Sequence, residues 1–272
     1  MSRWLRERNT RPRMLAIDRE RLAWGCAEAG VDSCSLGDAP EALERLFEGA
    51  GRGDIDVIAG SDVAPHWIQQ PPRSIESFAE LRRVAQARCA QLHGGEAGDW
   101  RVAADWDAAR PFVSVALPES LAAGLERQLS GLRLRVRWHS AWELFSRAMA
   151  AQWPGSGWNA VRTPARVAMW HRQDGRVDSL TTWTVRAGES GAAAAQRACR
   201  QLTIEVSRTD GLAAGPLHWL DVVDADGDAL ACRSSTLMSL VPLAPLSDIA
   251  ARTTSEASTA LLCGRLLMEK PA

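Results

Sequence analysis

An unbroken alternation of strand and helix patterns over residues 112–153 constrains the fold of this chain more than any other feature. The apolar run FVSVAL, residues 112–117, stops at a proline and predicts a buried strand. Residues 119–130 follow with leucines one helical turn apart and end at Gly131, a glycine in the position of a helix C-cap. A strand and a helix joined this closely are typical of an α/β unit.

The second half of this stretch repeats the same order. Residues 133–138 alternate arginine with apolar side chains, which predicts a strand with one buried face. Ser140 followed by Glu143 has the form of a capping box and predicts a helix that ends near Pro154. None of these side chains suggests a reaction, so we interpret residues 112–153 as scaffold.

Composition limits the classes of function. The chain has 272 residues, 46% of them apolar, which is enough for a packed core in one or two domains. A formal net charge of -1 argues against a nucleic-acid binder, so no nucleic acid is expected as a partner. The 6 cysteines have no paired spacing and predict reduced thiols in the cytoplasm rather than disulfides or zinc ligands. No run approaches the ~20 apolar residues of a membrane span.

The patterns divide the chain into four parts. Residues 1–13 are arginine-rich and are either a basic arm for a partner or anionic lipid, or a solvated tail. Residues 14–153 open with three short strands in a meander and form the first predicted subdomain. A Pro-Gly-Ser-Gly seam leads to the second, residues 154–246, and residues 247–272 are predicted as a closing helix and tail.

Asp18, at the end of the first predicted strand, is the most suggestive polar residue. Ribonuclease-H-like nucleases carry a metal-binding aspartate at such a position, and actin-like ATPases open a phosphate loop of the form Asp-x-Gly there. Arg19 and Glu20 follow here, so no glycine lets backbone N–H groups approach a phosphate. A two-metal nuclease would need more carboxylates, for which Asp105 and Asp107 are the candidates. The third interpretation is a turn aspartate between two strands.

Residues 56–72 (DVIAGSDVAPHWIQQPP), followed by a long predicted helix over residues 74–93 and by the 112–153 unit, form a familiar order. This order resembles the actin-like platform proteins of bacterial type IV pilus and type II secretion machines, the PilM-type protein and the cytoplasmic part of the GspL-type protein. In that family a strand of the form LSxxxVRYxxxPW precedes the long helix. His66 and Trp67 stand near the family's Arg-Tyr, and Pro72 stands where its tryptophan would be. The resemblance covers roughly residues 14–185.

The resemblance implies a ribonuclease-H-like or actin-like α/β fold, with two subdomains built on mixed sheets. It also implies a non-catalytic scaffold, cytoplasmic and peripheral to the inner membrane, that holds the cytoplasmic tail of an inner-membrane partner, with the assembly ATPase as a second partner. Neither a catalytic residue, a metal nor a cofactor is expected. The open alternatives are an actin-like ATPase that binds ATP through Asp18 and a ribonuclease-H-like nuclease that uses the same residue.

Residues 63–72 are the predicted partner-binding edge. This segment carries three prolines, which lack N–H groups and cannot pair as a central strand would. Trp67 and Ile68 supply apolar surface on which a partner peptide could be anchored. The alternative for Trp67 is that it packs on the long helix beside Phe78.

Overall fold

The computed structural model describes residues 14–26, 30–49, 52–208, 215 and 217–222. Within these residues the strands are β1 (Met14–Ile17), β2 (Arg21–Cys26), β3 (Gly30–Ser35), β4 (Gly53–Ala59), β5 (His66–Gln69), β6 (Trp100–Ala104), β7 (Phe112–Pro118), β8 (Leu134–Ser140), β9 (Gly157–Arg162), β10 (Arg166–Gln173), β11 (Arg176–Thr184) and β12 (Leu217–Asp221). The helices are α1 (Ala39–Phe47), α2 (Phe78–His93), α3 (Glu119–Gly131), α4 (Ala141–Gln152) and α5 (Gly191–Arg208), and Ala97–Asp99 form a 3-10 turn.

The described strands form three sheets. The first has the order β3-β2-β1-β4-β8, in which β1, β2 and β3 are an antiparallel meander and β4 and β8 run parallel to β1. The second, β5-β7-β6, is antiparallel. The third, β11-β10-β9-β12, repeats the plan of the first, since β9 to β11 are a meander and β12 runs parallel to β9. Mixed sheets with the predicted opening meander confirm the α/β fold class.

Helix α4 lies between the first and third sheets and joins them. Its Trp142, Phe145 and Met149 are buried in one cluster with Ile58 of the first sheet and Trp170 of the third. The opposite face of the first sheet packs on α1 and α3, the opposite face of the third on α5, and the second sheet packs on α2. The layers follow from the alternation of apolar side chains along each strand.

Helix α2 ends at His93 as predicted but begins later, and the apolar side chains near its two ends are exposed. It begins at Phe78 rather than at residue 74, because the Ser77 hydroxyl accepts a hydrogen bond from the Glu80 N–H at 3.2 Å and caps it there. Phe78 is 58% exposed and Leu92 44% exposed, although both share the helical spacing of the buried Leu81, Ala85 and Cys89. The short second sheet covers only the middle of this helix, where Leu81 and Cys89 are buried.

Other predicted boundaries need smaller corrections. Gly131 lies inside α3, and the left-handed residue that ends this helix is Arg133, with φ 63°. Ser140 caps α4 as predicted by accepting from the Glu143 N–H at 3.1 Å, while the Glu143 carboxylate pairs with Arg147. The basic tail at residues 1–13 and the closing helix at 247–268 lie outside the described residues. Among the described helices, none is long and apolar enough to cross a bilayer.

Candidate functional site

The turn between β1 and β2 shows what Asp18 does. Asp18 is buried, and its Oδ1 atom accepts hydrogen bonds from the backbone N–H of Glu20 at 2.8 Å and of Arg21 at 2.6 Å. An aspartate that binds its own backbone two and three residues on stabilises a tight turn. Of the three interpretations of Asp18, the geometry matches the turn aspartate.

Asp62, which follows β4, completes this turn from the other side. Its Oδ2 atom accepts from the Arg19 N–H at 3.1 Å, and its carbonyl oxygen accepts from the Arg19 Nε at 3.1 Å. Arg19, Glu20 and Arg21 therefore all donate their backbone N–H groups to the carboxylates of Asp18 and Asp62. In a phosphate loop such N–H groups point at the anion. Here two carboxylates of the protein already occupy them.

The surroundings of the Asp62 carboxyl disfavour its ionised form. Burial raises the pKa of Asp62; the hydrogen bond from the Arg19 N–H opposes this effect and the negative charge of Asp18 adds to it. Asp62 Oδ1 is buried and accepts no hydrogen bond from the part of the chain that the structure describes. A phosphate placed here would add further negative charge beside two carboxylates.

The carboxylates that a nuclease would recruit lie elsewhere. Asp105 and Asp107 line a different cavity, where Asp107 is bonded to Arg176 at 3.0 Å. Across the described ranges, no three His, Cys, Asp or Glu side chains are grouped so that they could hold a metal ion. The structure does not bring Asp105 or Asp107 to Asp18. Both follow β6 in the second sheet, whereas Asp18 follows β1 in the first.

A cavity of about 270 Å³, here called the first cavity, opens beside the Asp18 turn. Its walls are mostly apolar, with charged or titratable groups among them, and the lining residues are Arg19, Leu36, Asp62, Val63, Pro65, His93, Trp100, Pro118, Leu121 and Arg166. Burial, helped by the positive charges of Arg166 and Arg19, lowers the pKa of His93. The volume falls below the ~300 Å³ at which small-molecule pockets begin and suits one or two apolar side chains.

The predicted partner-binding segment, residues 63–72, lines this cavity with Val63 and Pro65 and not with the predicted anchors Trp67 and Ile68. β5 is an edge strand that pairs with β7. Trp67 is only 6% exposed and packs under α2 with Ala85 and Cys89, while its Nε1 donates to Gln69 Oε1 at 3.1 Å. This matches the packing alternative for Trp67, although Phe78 is not its neighbour there. Ile68 is half-buried. Within the same segment, Val63 and Pro65 line the first cavity.

Sequence reasoning missed most walls of the first cavity. These walls include Leu36, which directly follows β3, Trp100 at the start of β6, and Leu121 in the first turn of α3. These positions have no common spacing or motif, and only the folding of the second sheet against the first brings them together. The segment that contains Val63 and Pro65 could be predicted, because its prolines indicate an edge strand.

A second cavity, of about 670 Å³, lies between the second sheet, α4 and the β10–β11 hairpin. In its wall the His66 Nε2 and the Ser140 hydroxyl are hydrogen-bonded at 2.9 Å. Burial lowers the pKa of His66 to about 3, so the imidazole is neutral at physiological pH. Because Ser140 also caps α4, this pair connects the second sheet to the helix that joins the other two.

No family model matches the sequence, and the search of curated proteins gives no match. Among solved structures, the chain is similar to the cytoplasmic domain of EpsL, an inner-membrane component of the type II secretion system of Vibrio cholerae, with 13% identity over 94% of both chains and a TM-score of 0.48. It is similar to a protein of unknown function with an actin-like ATPase fold from Bacteroides thetaiotaomicron, with 11% identity, 81% of this chain and 85% of that one covered, and a TM-score of 0.46.

A third similar structure is the PilM-PilN type IV pilus biogenesis complex, with 10% identity over 76% of this chain and 80% of that chain, and a TM-score of 0.46. The first and third structures are of the two classes that the sequence resemblance names. At these identities and TM-scores, the likeness assigns no ligand and no activity to this chain.

Proposed function

We propose that this chain is a non-catalytic adaptor at the cytoplasmic face of a type IV pilus or type II secretion assembly platform, where it binds the cytoplasmic tail of an inner-membrane protein. The observation that carries the proposal is the Asp18 turn. Its backbone N–H groups, which an ATPase of this fold would offer to phosphate, donate to the carboxylates of Asp18 and Asp62. Their negative charge also opposes a nucleotide.

The first cavity is the proposed anchoring site for the tail. Leu36, Val63 and Leu121 give it apolar walls that can bury a leucine- or isoleucine-sized side chain. Arg19 and Arg166 at the same cavity can donate hydrogen bonds to carbonyl oxygens of the bound chain. Few, well-packed apolar anchors of this kind dominate the binding energy of peptide complexes.

The rival functions require changes to this geometry. An ATPase would have to move Asp62 away from the Arg19 N–H to make room for a phosphate. A nuclease would need further carboxylates beside Asp18, and Asp105 and Asp107 line the second cavity instead. The assembly ATPase as a second partner and a peripheral position at the inner membrane belong to the same proposal and follow from the adaptor role.

The test is binding of synthetic peptides that span the cytoplasmic tails of the inner-membrane assembly proteins encoded beside this chain. Fluorescence anisotropy with the full chain should identify a tail that binds saturably. Leu121→Trp, which fills the first cavity, should weaken that binding at least ~10-fold, since one well-packed anchor contributes 2 kcal/mol or more.

The matched control is Ile204→Trp, which adds the same side chain at an exposed position of α5 outside the first cavity. This variant should bind the tail as the unchanged chain does. The proposal fails if no tail binds, or if folded Leu121→Trp binds with unchanged affinity.

A further inference from the structure

A groove of about 530 Å³, here called the basic groove, lies along α5. Its walls are the turn at residues 186–189, which follows β11, and one side of α5 over residues 193–204. Among the described residues that line it, three are arginines, Arg186, Arg197 and Arg200, and one is acidic, Glu189. It shares no lining residue with the first or the second cavity. The basic groove is therefore a separate site with an excess of positive charge.

The acidic residue of the basic groove is already neutralised by its neighbours. The Glu189 carboxylate accepts hydrogen bonds from the Arg186 N–H at 2.9 Å and from Arg197 at 3.3 Å, and its side chain is only 6% exposed. The hydrogen bond from the Arg186 N–H and the positive charge of Arg197 lower the pKa of Glu189, so this ion pair persists at physiological pH. Arg197 also donates to the Thr184 carbonyl oxygen at 3.2 Å and lies over the Trp183 ring. Glu189 and Arg197 are therefore occupied with each other.

The other two arginines of the basic groove have no such partner. Arg186 and Arg200 are both exposed, and neither guanidinium group forms an ion pair or a hydrogen bond within the part of the chain that the structure describes. Two uncompensated positive charges on one groove, with its carboxylate withdrawn into an ion pair, give it a positive potential. Such a potential attracts anionic partners and repels cationic ones.

Carboxylates of a protein fit the basic groove better than the headgroups of an anionic bilayer. Surfaces that bind anionic lipids carry clusters of roughly four or more lysines and arginines, whereas this groove has two unpaired arginines among its described residues. A bilayer is also flat, and these arginines border a depression between a turn and a helix. Gln196, exposed in the same groove, can donate to and accept from the main chain of a bound segment. These features favour an extended acidic segment as the occupant.

We propose that the basic groove binds an acidic segment of a protein partner, with carboxylates of that segment paired with Arg186 and Arg200. The class of partner rests on the proposed function, in which the adaptor holds a second protein besides the membrane tail. Because the basic groove and the first cavity have no lining residue in common, the two partners can be bound at the same time. Exposed ion pairs are weak and screened, so the affinity is modest and falls with salt.

The probe is the peptide acetyl-Gly-Glu-Ala-Glu-Ala-Glu-Gly-amide, and the control peptide has glutamine in place of glutamate. Binding is followed in the full chain labelled with ¹⁵N-tryptophan. The reporter is the indole N–H signal of Trp183, whose ring lies under Arg197 and whose signal is identified by Trp183→Phe. The glutamate peptide should shift this signal saturably, and should bind more weakly at about 0.5 M salt. The glutamine peptide should leave it in place.

Charge reversal tests the two arginines directly. Arg186→Glu combined with Arg200→Glu should weaken the glutamate peptide at least ~10-fold, since two attractive pairs become repulsive. The same double variant should bind the corresponding lysine peptide, which the unchanged chain should not bind. The matched control is Arg83→Glu combined with Arg88→Glu, at two exposed arginines of α2 outside the basic groove. This control should bind the glutamate peptide as the unchanged chain does.

Equal shifts from the glutamate and glutamine peptides, or unchanged binding by the folded Arg186→Glu, Arg200→Glu variant, would overturn the assignment. Two other occupants would also overturn it. If the glutamate peptide binds only after Asp224→Asn, Asp226→Asn and Asp228→Asn, the occupant is an acidic segment of this chain itself. If phosphatidylglycerol vesicles bind the chain through the two arginines and the glutamate peptide does not bind, the occupant is a lipid surface.

The two proposals fail separately. If a cytoplasmic tail binds and Leu121→Trp releases it, but the glutamate peptide leaves the Trp183 signal in place, the groove assignment is wrong and the adaptor stands. If the glutamate peptide binds through Arg186 and Arg200 while no tail binds the chain, the groove assignment stands and the adaptor is wrong.

Discussion

At the scale of single residues, two aspartates determine what the turn after β1 can bind. Asp18 satisfies the N–H groups of Glu20 and Arg21, and Asp62 satisfies the N–H of Arg19. A backbone N–H that already has a charged acceptor gains little from exchanging it for another, and desolvating an anion against two carboxylates is costly. This local chemistry, rather than the missing glycine alone, separates the turn from a phosphate loop.

Asp62→Asn should raise the melting temperature at neutral pH. The folded-state pKa of Asp62 is raised, mainly by burial, so the stability that this group contributes is present at low pH and is lost as the pH rises through the folded-state pKa. Asparagine stays neutral, and its Oδ1 can still accept from the Arg19 N–H. The gain over the unchanged chain should shrink as the pH is lowered to about 4.

Melting curves followed by circular dichroism at both pH values provide the measurement, with Asp32→Asn as the exposed control. A lower melting temperature for Asp62→Asn at neutral pH would contradict this prediction. It would mean that the charged hydrogen bond to Arg19 outweighs the burial of the carboxylate.

At the scale of elements, the packing of α2 on the second sheet explains why Trp67, in the predicted partner-binding segment, is buried. Trp67 lies on an edge strand, yet α2 covers it, and it shares a buried cluster with Cys89 and Val102. Burial raises the pKa of the Cys89 thiol to about 12, which keeps it protonated and apolar beside the indole. Trp67 therefore stabilises the second sheet, which lies beside the proposed anchoring site.

Trp67→Ala should lower the free energy of unfolding by about 3–5 kcal/mol, the usual cost of removing a buried tryptophan. Urea denaturation of the full chain measures this change. Phe78→Ala removes a large aromatic ring from the exposed end of the same helix and should change stability by no more than about 1 kcal/mol. If Trp67→Ala left stability unchanged but reduced tail binding, Trp67 would be the surface anchor after all.

The elements that were predicted correctly are those whose signals lie within a few residues of each other in the sequence. The unit at 112–153 was predicted closely because its signals are local. Buried and exposed side chains alternate along β8, and Ser140 caps α4 through a residue only three positions away. The start of α2 was misplaced because Ser74 and Ser77 can both cap a helix, and only tertiary packing selects Ser77. The first cavity could not be predicted, since its walls meet only when the second sheet folds against the first.

At the scale of the whole molecule, two sheets of the same plan are joined around α4. The Ser61 and Thr163 hydroxyls are hydrogen-bonded at 3.1 Å, which links the loop after β4 to the turn between β9 and β10. Asp107 and Arg176 form a second link, between the second sheet and the β10–β11 hairpin. Such links favour a fixed arrangement of the sheets, which the proposed adaptor role would require because a preformed site loses less entropy on binding.

Calorimetric titration of Mg-ATP into the full chain tests most directly whether this arrangement is an adaptor rather than an ATPase. With the N–H groups of the Asp18 turn donated to Asp18 and Asp62, we predict no saturable heat of binding up to millimolar nucleotide. Saturable binding that disappears in Asp18→Ala, with the variant still folded by circular dichroism, would contradict the account and place a nucleotide at this turn.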